Sequence, residues 1–207
     1  MDTERRMILT IDHLVANNTV KSSIEDEDFI WVNNFTEESA KQFVYKLLKL
    51  SKKDKSKPIL VYIDSYGGIV DSLATMLAAM DSVKNDIVTV CVGKAMSCGS
   101  ILLSHGDIRY VAPHSSVMVH EISFGAWGNF NDVVVEAEEV KRMNKYFMEL
   151  LAKNCGKSYS EFKKVFKNER RNIYLDPQEA LKFGIADKIG IPTIQAKSQK
   201  AIEYEVK

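Results

Sequence analysis

Two continuous apolar runs constrain the fold more than any other feature of this chain. They are PILVYID at 58–64 and IVTVCVG at 87–93, and neither shows the alternation with polar residues that an exposed edge strand would have. Each is followed by a turn and then by residues with helical spacing, first over 69–83 and later from about Ser97. Buried strands that alternate with helices predict an α/β fold with right-handed crossovers.

Further elements are predicted on both sides of these runs. DFIWVNN at 28–34 predicts a strand, and Thr36 is a candidate N-cap for a helix that continues to about Ser51. The segments IRYVAP and SVMVHEISF predict short strands, and apolar residues at helical spacing predict a long helix over 131–152. DPQE at 176–179 predicts a capping box at the start of a last helix.

The composition is that of a soluble globular protein and argues against several functions. Hydrophobic residues make up 45% and charged residues 27% of the chain. Lys and Arg together number 28, as do Asp and Glu, so no net positive charge is available to hold nucleic acid. No run approaches the ~18 apolar residues that span a bilayer, and MDTERRMILTIDHLV lacks the apolar core of a signal peptide. We expect no nucleic-acid or membrane partner and a cytoplasmic location.

The three cysteines predict neither a disulfide framework nor a metal site. Cys91, Cys98 and Cys155 show no CxxC spacing, and two of them lie in or beside apolar runs, where a free cysteine behaves as a small hydrophobic residue. This pattern suits a reducing compartment. We expect no metal and no cofactor.

The chain length of 207 residues suits a single domain. Residues 1–27 are polar and mixed and run into the acidic segment SSIEDED at 22–28, which predicts a poorly packed N-terminal arm or hairpin. The tail at 191–207 is polar and shows no clear pattern. The domain is therefore expected to occupy residues 28–190.

One serine, Ser97, lies in the segment GKAMSCGS between a predicted strand and a predicted helix. A serine hydroxyl becomes a good nucleophile only when a base takes its proton. A strand-to-helix turn helps by exposing the hydroxyl and by placing backbone N–H groups beside it. The segment is similar to a nucleophile elbow but lacks the first glycine of that motif. On its own, it indicates only a small polar residue at a tight turn.

Four histidines are candidates for the base. His13 lies in the predicted arm, His105 lies two helical turns beyond Ser97, and His114 lies in the turn-like segment PHSS. His120 directly follows the apolar strand SVMV, where an imidazole needs a partner. It is either a core histidine with a hydrogen-bonding neighbour or a general base.

A second turn favours the catalytic interpretation. Gly67 and Gly68 follow the strand PILVYID at the start of a helix, and adjacent glycines let backbone amides approach a ligand closely. They form either an ordinary strand–helix turn or an oxyanion hole, in which the amide of Gly68 acts together with the amide of Cys98. Two such turns, one of them bearing a serine, are more specific together than either alone.

The order of these motifs resembles that of the proteolytic subunit of the caseinolytic (Clp) protease. The motifs are YIDSYGG, GKAMSCGSILLSHG, RYVAPHSSVMVHE and NERRNIYLDPQEALKFGIADKI, and the resemblance runs from about Phe29 to Ile189. It implies a crotonase-like spiral of ββα units with a protruding strand–helix handle at about 121–153. It also implies two stacked heptameric rings of identical subunits, which enclose the active sites. An ATP-dependent unfoldase of the AAA+ class would feed unfolded polypeptides to them.

The resemblance assigns roles to individual residues. Ser97 would be the nucleophile and His120 the general base of a serine endopeptidase, with the amides of Gly68 and Cys98 as the oxyanion hole. SFGAWGN matches the handle strand that pairs with the substrate backbone by β-augmentation. The residues expected to bind substrate there are Gly125 and Ala126. The residues expected at the contact between the two rings are Arg171, Asp132 and Glu136.

Three features depart from the family pattern. The usual aspartate of the catalytic triad falls on Asn172, and an amide can orient histidine but carries no charge. The nearby Asp176 is accounted for by its capping role. Tyr66 replaces a proline that rigidifies the glycine loop. The third departure concerns the apical pocket where the family's unfoldase docks. Two of its side chains, Ser82 and Ala112, are smaller or more polar than is usual in the family. The residues that match this pocket are Leu60, Tyr62, Ser82, Val90, Val92, Tyr110 and Ala112.

Three functions are compatible with these patterns. The first is the serine endopeptidase, with activity lowered by Asn172. The second is a weakly active or non-catalytic subunit that modulates another peptidase subunit in mixed rings, which Asn172 and the altered apical pocket keep open. The third is an acyl-CoA enzyme on the same fold. Ser97 and His120 at triad positions argue against it.

Overall fold

The computed structural model describes residues 28–168 and 172–192, apart from the side chains of 165–168. The predicted arm at 1–27, Arg171 and all but the first two residues of the predicted tail lie outside the described residues. The elements in chain order are β1 (Phe29–Val32), α1 (Glu37–Lys53), β2 (Ile59–Ser65), α2 (Val70–Ser82), β3 (Ile87–Met96), α3 (Cys98–Ser104), β4 (Ile108–Val111), β5 (Ser116–His120), α4 (Phe130–Asn154), α5 (Tyr159–Asn168), β6 (Asn172–Leu175), α6 (Pro177–Phe183) and β7 (Lys188–Ile189).

The described strands form one branched sheet in the order β1-β2-β3-β4-β7, and β5 joins it through β3. β3 pairs in parallel first with β4 and then, from Lys94 to Met96, with β5. β5 pairs in antiparallel with β6. The pairing with β5 explains why β3 continues beyond its predicted end at Gly93. The α/β prediction is confirmed, and the mainly parallel sheet with its helices is consistent with the crotonase-like fold.

The sheet separates two hydrophobic clusters, which explains the continuous apolar runs. Successive side chains of a strand point to opposite faces. In β2, Ile59, Val61 and Ile63 lie in the main core, which the helices cover. Leu60 and Tyr62 lie on the opposite face in a smaller cluster with residues of β1, β3 and β4. Both faces of β2 are therefore apolar.

The helix ends follow the local sequence as predicted. Thr36 caps α1, because its side chain accepts from the Ser39 amide at 3.2 Å while the Ser39 hydroxyl accepts from the Thr36 amide at 2.8 Å. Asp176 and Glu179 form the same reciprocal arrangement at the start of α6. Gly184 ends that helix with a φ of 85°, a left-handed conformation that favours glycine.

α4 spans most of the segment predicted as the handle. Its buried residues are confined to its C-terminal third, from Phe147 to Ala152. The preceding segment anchors to the helix through the Ile122 amide, which donates to the side-chain oxygen of Asn144 at 2.9 Å. The strand predicted at 123–129 has no regular secondary structure, because no strand of the described chain lies beside it to form a ladder. No helix in the described residues is long and apolar enough to cross a bilayer.

Candidate active site

Ser97 occupies a strained turn between β3 and α3. Its φ of 54° and ψ of −121° make it the one non-glycine residue with positive φ in the described part of the chain. This conformation is unfavourable for an L-residue and persists only when its surroundings hold it. The Ser97 amide donates to the carbonyl of Met118 at 2.9 Å, and the Ser97 carbonyl accepts from the Ser100 amide at 2.9 Å. β5 and α3 therefore fix the turn from both sides.

His120 lies next to this turn because of the strand pairing. Met96, the last residue of β3, pairs with Met118 of β5. This register brings the end of β5, where His120 lies, beside Ser97, the residue that follows β3. Nε2 of His120 lies 2.8 Å from Oγ of Ser97. Burial lowers the pKa of His120 below its ordinary value of 6.5, and a hydrogen bond with the side chain of Asn172 opposes this in part. A neutral imidazole at this distance can accept the hydroxyl proton.

Asn172 stands on the other side of the histidine. It begins β6 and is the direct partner of His120 in the antiparallel pair. A hydrogen bond with the Asn172 side chain raises the pKa of the His120 ring. Since Nε2 faces Ser97, Nδ1 is the ring nitrogen that remains for Asn172. Ser97 and His120 are half-buried, whereas Asn172 is exposed.

The glycine loop after β2 packs directly against the Ser97 turn. Gly67 has a φ of 105°, and a Cβ at this position would lie 2.7 Å from Cβ of Ser97 and 2.9 Å from the carbonyl oxygen of Met96. Only glycine fits here. The loop is held by Ser65, whose buried hydroxyl accepts from the Gly67 amide at 3.1 Å. Gly68 follows and bridges to Phe35 in the segment after β1.

Cys98, the first residue of α3, joins the two turns. Its thiol lies 3.3 Å from the carbonyl oxygen of Gly68. Burial raises the pKa of this thiol above its ordinary value of 9.0, and hydrogen bonds with Gly68 and Ser97 only partly oppose the effect. The thiol stays protonated near neutral pH, so Ser97 is the better candidate nucleophile of the two adjacent residues.

A cavity of about 130 Å³ opens beside Ser97 and His120. Among the described residues, its lining includes no Asp, Glu, Lys or Arg. Most of the lining is aliphatic or aromatic: Val70, Leu73, Ile101, Ile122, Phe147 and Met148. The sequence placed Phe147 on the apolar face of a helix but gave no indication that this face borders the serine. The cavity suits an apolar side chain.

The remaining candidates for base or orienting acid are engaged elsewhere. Nε2 of His105 lies 2.8 Å from a carboxylate oxygen of Asp81, and His114 is exposed. Asp176 accepts from the Glu179 amide at 2.8 Å, so its capping role is confirmed. His13 lies outside the described residues. No three His, Cys, Asp or Glu side chains in the described residues cluster closely enough to hold a metal ion.

A sequence model of the Clp protease family matches residues 13–192. The chain belongs to the Clp protease family. The match covers the strands and helices that carry Ser97, His120 and Asn172, and it confirms the resemblance found in the sequence. Membership implies a serine peptidase and, more specifically, the proteolytic subunit of a Clp-type protease.

Other described residues expected to act in a Clp protease do not line the cavity beside Ser97. Gly125 is exposed, and a Cβ built on it would meet nothing within 4 Å, so room for another backbone is present beside it. Asp132 interacts with Asn129 at the start of α4, and Glu136 is exposed on the same helix. Their expected partner Arg171 lies outside the described residues. Of the predicted apical residues, Leu60, Tyr62, Val90, Val92 and Tyr110 belong to the smaller hydrophobic cluster.

Two charged residues beside the site were missed by the sequence analysis. Lys94, in β3, lies 2.8 Å from a carboxylate oxygen of Asp64 in β2, and its ammonium also lies 4.5 Å from the centre of the Tyr66 ring. The only available signal was a lysine and an aspartate next to the two glycine-bearing turns. Their contact depends on a register irregularity that the sequence does not reveal.

Proposed function

We propose that this member of the Clp protease family is an active serine endopeptidase whose nucleophile is Ser97 and whose general base is His120. The observation that carries the proposal is the distance of 2.8 Å between Nε2 of His120 and Oγ of Ser97 in a strained strand-to-helix turn. A serine in contact with a neutral imidazole is an arrangement that proteases use for acyl transfer.

The reaction follows from these contacts. His120 takes the proton as Oγ of Ser97 attacks the scissile carbonyl, and the resulting imidazolium is stabilised by the accepting amide of Asn172. His120 then gives the proton to the leaving amine, which leaves an acyl group on Ser97. Water, deprotonated by the same histidine, releases the acyl group and restores the hydroxyl.

The negative charge that develops on the carbonyl oxygen needs donors beside Ser97. We assign this role to the amides of Cys98 and Gly68, since Cys98 begins α3 and lies in contact with Gly68. The adjoining apolar cavity of about 130 Å³ would accept the side chain that precedes the scissile bond. We therefore expect cleavage after apolar residues and slow cleavage after charged ones.

Substrate backbone would bind along the segment that precedes α4. Gly125 and Ala126 would pair with it as an added strand, which supplies the ladder partner that the segment lacks within the described chain. Unfolded polypeptides are the substrates that can adopt this extended form.

Assembly into two stacked heptameric rings is part of the proposal. The handle exposes large apolar side chains: Trp127 is 98% exposed and Phe130 is 81% exposed. Such residues are expected at a surface that another copy covers. Asp132 and Glu136 would face Arg171 of the opposite ring.

An AAA+ unfoldase would dock on the smaller hydrophobic cluster around Tyr62, at the partly buried Leu60, Val92 and Tyr110. A cytoplasmic location suits the three free, buried cysteines.

A second candidate is a weakly active subunit that modulates another peptidase in mixed rings. The exposed amide of Asn172 at the orienting position favours it, because no carboxylate balances the imidazolium there.

Hydrolysis of fluorogenic peptides by the purified full chain separates the two candidates. We expect turnover of a peptide with leucine before the scissile bond and little turnover with aspartate there. Ser97→Ala should abolish turnover, and Ser56→Ala, in an exposed loop, should not. Particle mass is measured on the same samples, where two heptameric rings of a 23.4 kDa chain would give about 328 kDa. An assembled particle without Ser97-dependent turnover would support the modulating subunit.

A further inference from the structure

The pairing of β2 with β3 is irregular just before the Ser97 turn. The register is regular as far as the Ile63–Cys91 pair. It resumes at the Ser65–Ala95 pair, so one residue of β2 stands opposite three residues of β3. At the same place the strand on the other side of β3 changes from β4 to β5. β3 pairs with β4 up to Cys91 and with β5 from Lys94. We call residues 92–94 the β3 bulge.

A salt bridge spans this bulge. Nζ of Lys94 lies 2.8 Å from a carboxylate oxygen of Asp64, the β2 residue opposite the bulge. The two side chains are 24% and 36% exposed, so the pair is partly shielded from water. The carboxylate raises the pKa of Lys94, mainly through this hydrogen bond. A bulge with a charged pair across it is more constrained than one left open to solvent.

Tyr66 adds a third contact on the side of the glycine loop. Nζ of Lys94 lies 4.5 Å from the centre of the Tyr66 ring, within the range of a cation–π interaction. Tyr66 is 73% exposed and directly precedes Gly67. The lysine therefore contacts both Asp64, the residue of β2 opposite the bulge, and Tyr66, the residue directly before the two glycines.

Gly93 makes the close approach of the carboxylate possible. A Cβ at this position would lie 2.7 Å from Oδ1 and 3.3 Å from Cγ of Asp64. Its backbone does not require glycine, because its φ lies outside the left-handed region. An alanine here would displace Asp64 without removing any charge.

We propose that Asp64, Lys94 and Tyr66 form a clasp that positions the glycine loop against the Ser97 turn. The three strands joined at the bulge lead to three parts of the site. β2 leads to Gly67 and Gly68, β3 leads to Ser97, and β5 ends at His120. A shift at the bulge would therefore move the oxyanion donors relative to the nucleophile.

The clasp compensates for a flexible loop. Gly67 and Gly68 both have positive φ and little intrinsic rigidity, and the residue before them is a tyrosine, which leaves its own φ free. The clasp residues touch neither substrate nor the reacting atoms in this account. They are positioning residues, and they act on kcat more than on KM.

This inference rests on the proposed function, and its test uses two readouts. The first is the second-order rate at which a fluorophosphonate labels Ser97, with kcat and KM for an apolar peptide. The second is hydrogen exchange of the backbone amides of residues 65–68, which does not depend on activity. Three variants open the clasp by different means: Lys94→Met, Asp64→Asn and Gly93→Ala.

We expect each variant to lower the labelling rate and kcat by about 10- to 100-fold, with KM within about twofold, and to speed exchange over 65–68. Lys94→Arg should restore most of the rate, because arginine keeps both the ion pair and the ring contact. Lys94→Met combined with Asp64→Asn should be no slower than the worse single variant. The matched control is Lys53→Met, which breaks the exposed pair of Lys53 with Asp28 and should change nothing.

The outcomes separate the two proposals. If the unmodified protein assembles but is not labelled, the proposed function fails, and the clasp is judged from hydrogen exchange alone. If the unmodified protein is labelled and the three variants keep its rate and exchange pattern, the clasp is overturned. Slow labelling that Lys94→Arg does not restore would also overturn it, since a general loss of packing would then explain the result.

Discussion

The two ends of the candidate site differ in how firmly the fold holds them. Ser97 lies in a strained turn that β5, α3 and the glycine loop hold from three sides, with half-buried His120 at 2.8 Å. Asn172 lies at the start of an edge strand, is exposed and offers an amide. The fold therefore positions Ser97 and His120 for nucleophilic attack. Among the described residues, the imidazolium that forms on His120 is stabilised only by Asn172, a neutral and solvent-exposed side chain.

This difference predicts opposite responses to mutation. Changes at the nucleophile end can only lose activity, because backbone strain, close packing and hydrogen bonding there already favour the reaction. A substitution at Asn172 can raise activity, because this position lacks the negative charge that would stabilise the imidazolium of His120. The predictions below run from the largest expected loss to the smallest expected shift.

Removal of the base has the largest effect. We expect His120→Ala to lower kcat by on the order of 10⁵-fold, about tenfold less than in a triad with a carboxylate, and the double variant with Ser97→Ala to be no slower than either alone, because the two side chains act as a unit. Steady-state peptide hydrolysis measures this. His105→Ala is the matched control, since His105 contacts Asp81 instead of Ser97. Equal losses from both histidine changes would mean that the effect is structural.

A methyl group at the glycine loop has the next largest effect. Gly67→Ala should lower kcat by about 10²-fold, because its Cβ would lie 2.7 Å from Cβ of Ser97 and force the two turns apart. Gly156→Ala is the control. It also has a positive φ, 67°, but meets nothing within 4 Å, so it tests backbone strain without the contact. Thermal unfolding is followed for both, and a Gly67→Ala protein with full activity would refute the close packing.

A carboxylate at the exposed end should raise activity. We expect Asn172→Asp to increase kcat by about tenfold, provided that it remains beside His120. The gain is well short of the ~10⁴ lost in the reverse change in a trypsin-like protease, because solvent screens an exposed carboxylate. Asn33→Asp, which adds the same charge at an exposed position of another segment, should have no effect. An assembled Asn172→Asp protein that is no faster would show that the orienting end does not limit the rate.

The same substitution should shift the pH profile slightly. His120 acts as a base only when neutral, so kcat/KM rises with pH through its pKa, and burial places that midpoint below 6.5. A carboxylate favours the protonated ring, so the midpoint in Asn172→Asp should move to higher pH, by less than about one unit. An unchanged or lower midpoint would indicate that residue 172 does not interact with His120 in solution.

The sequence predicted most elements but few of the contacts between them. The apolar run of β2 and the caps at Thr36 and Asp176 were readable, since they depend on residues close in the chain. The approach of His120 to Ser97 depends on the pairing of β3 with β5, and the residues themselves left the role of His120 open until the family resemblance was considered.

Two features show where prediction from the sequence fails. The family resemblance placed a strand at 123–129, but this segment has no ladder partner in the described chain and no regular structure. The contact of Lys94 with Asp64 depends on an irregular register, and a strand pattern alone predicts a regular one. Both misses concern segments whose conformation is set by a neighbour instead of by their own sequence.

The central claim, that Ser97 is a nucleophile activated by His120, is tested most directly by labelling with a fluorophosphonate. The intact full chain is labelled near neutral pH, and the adduct is located by peptide mass mapping, in parallel with Ser97→Ala and His120→Ala. The account predicts one adduct, on Ser97, in the unmodified protein and none in either variant. An assembled, unmodified protein that takes up no label, or takes it up on another residue, would contradict the account.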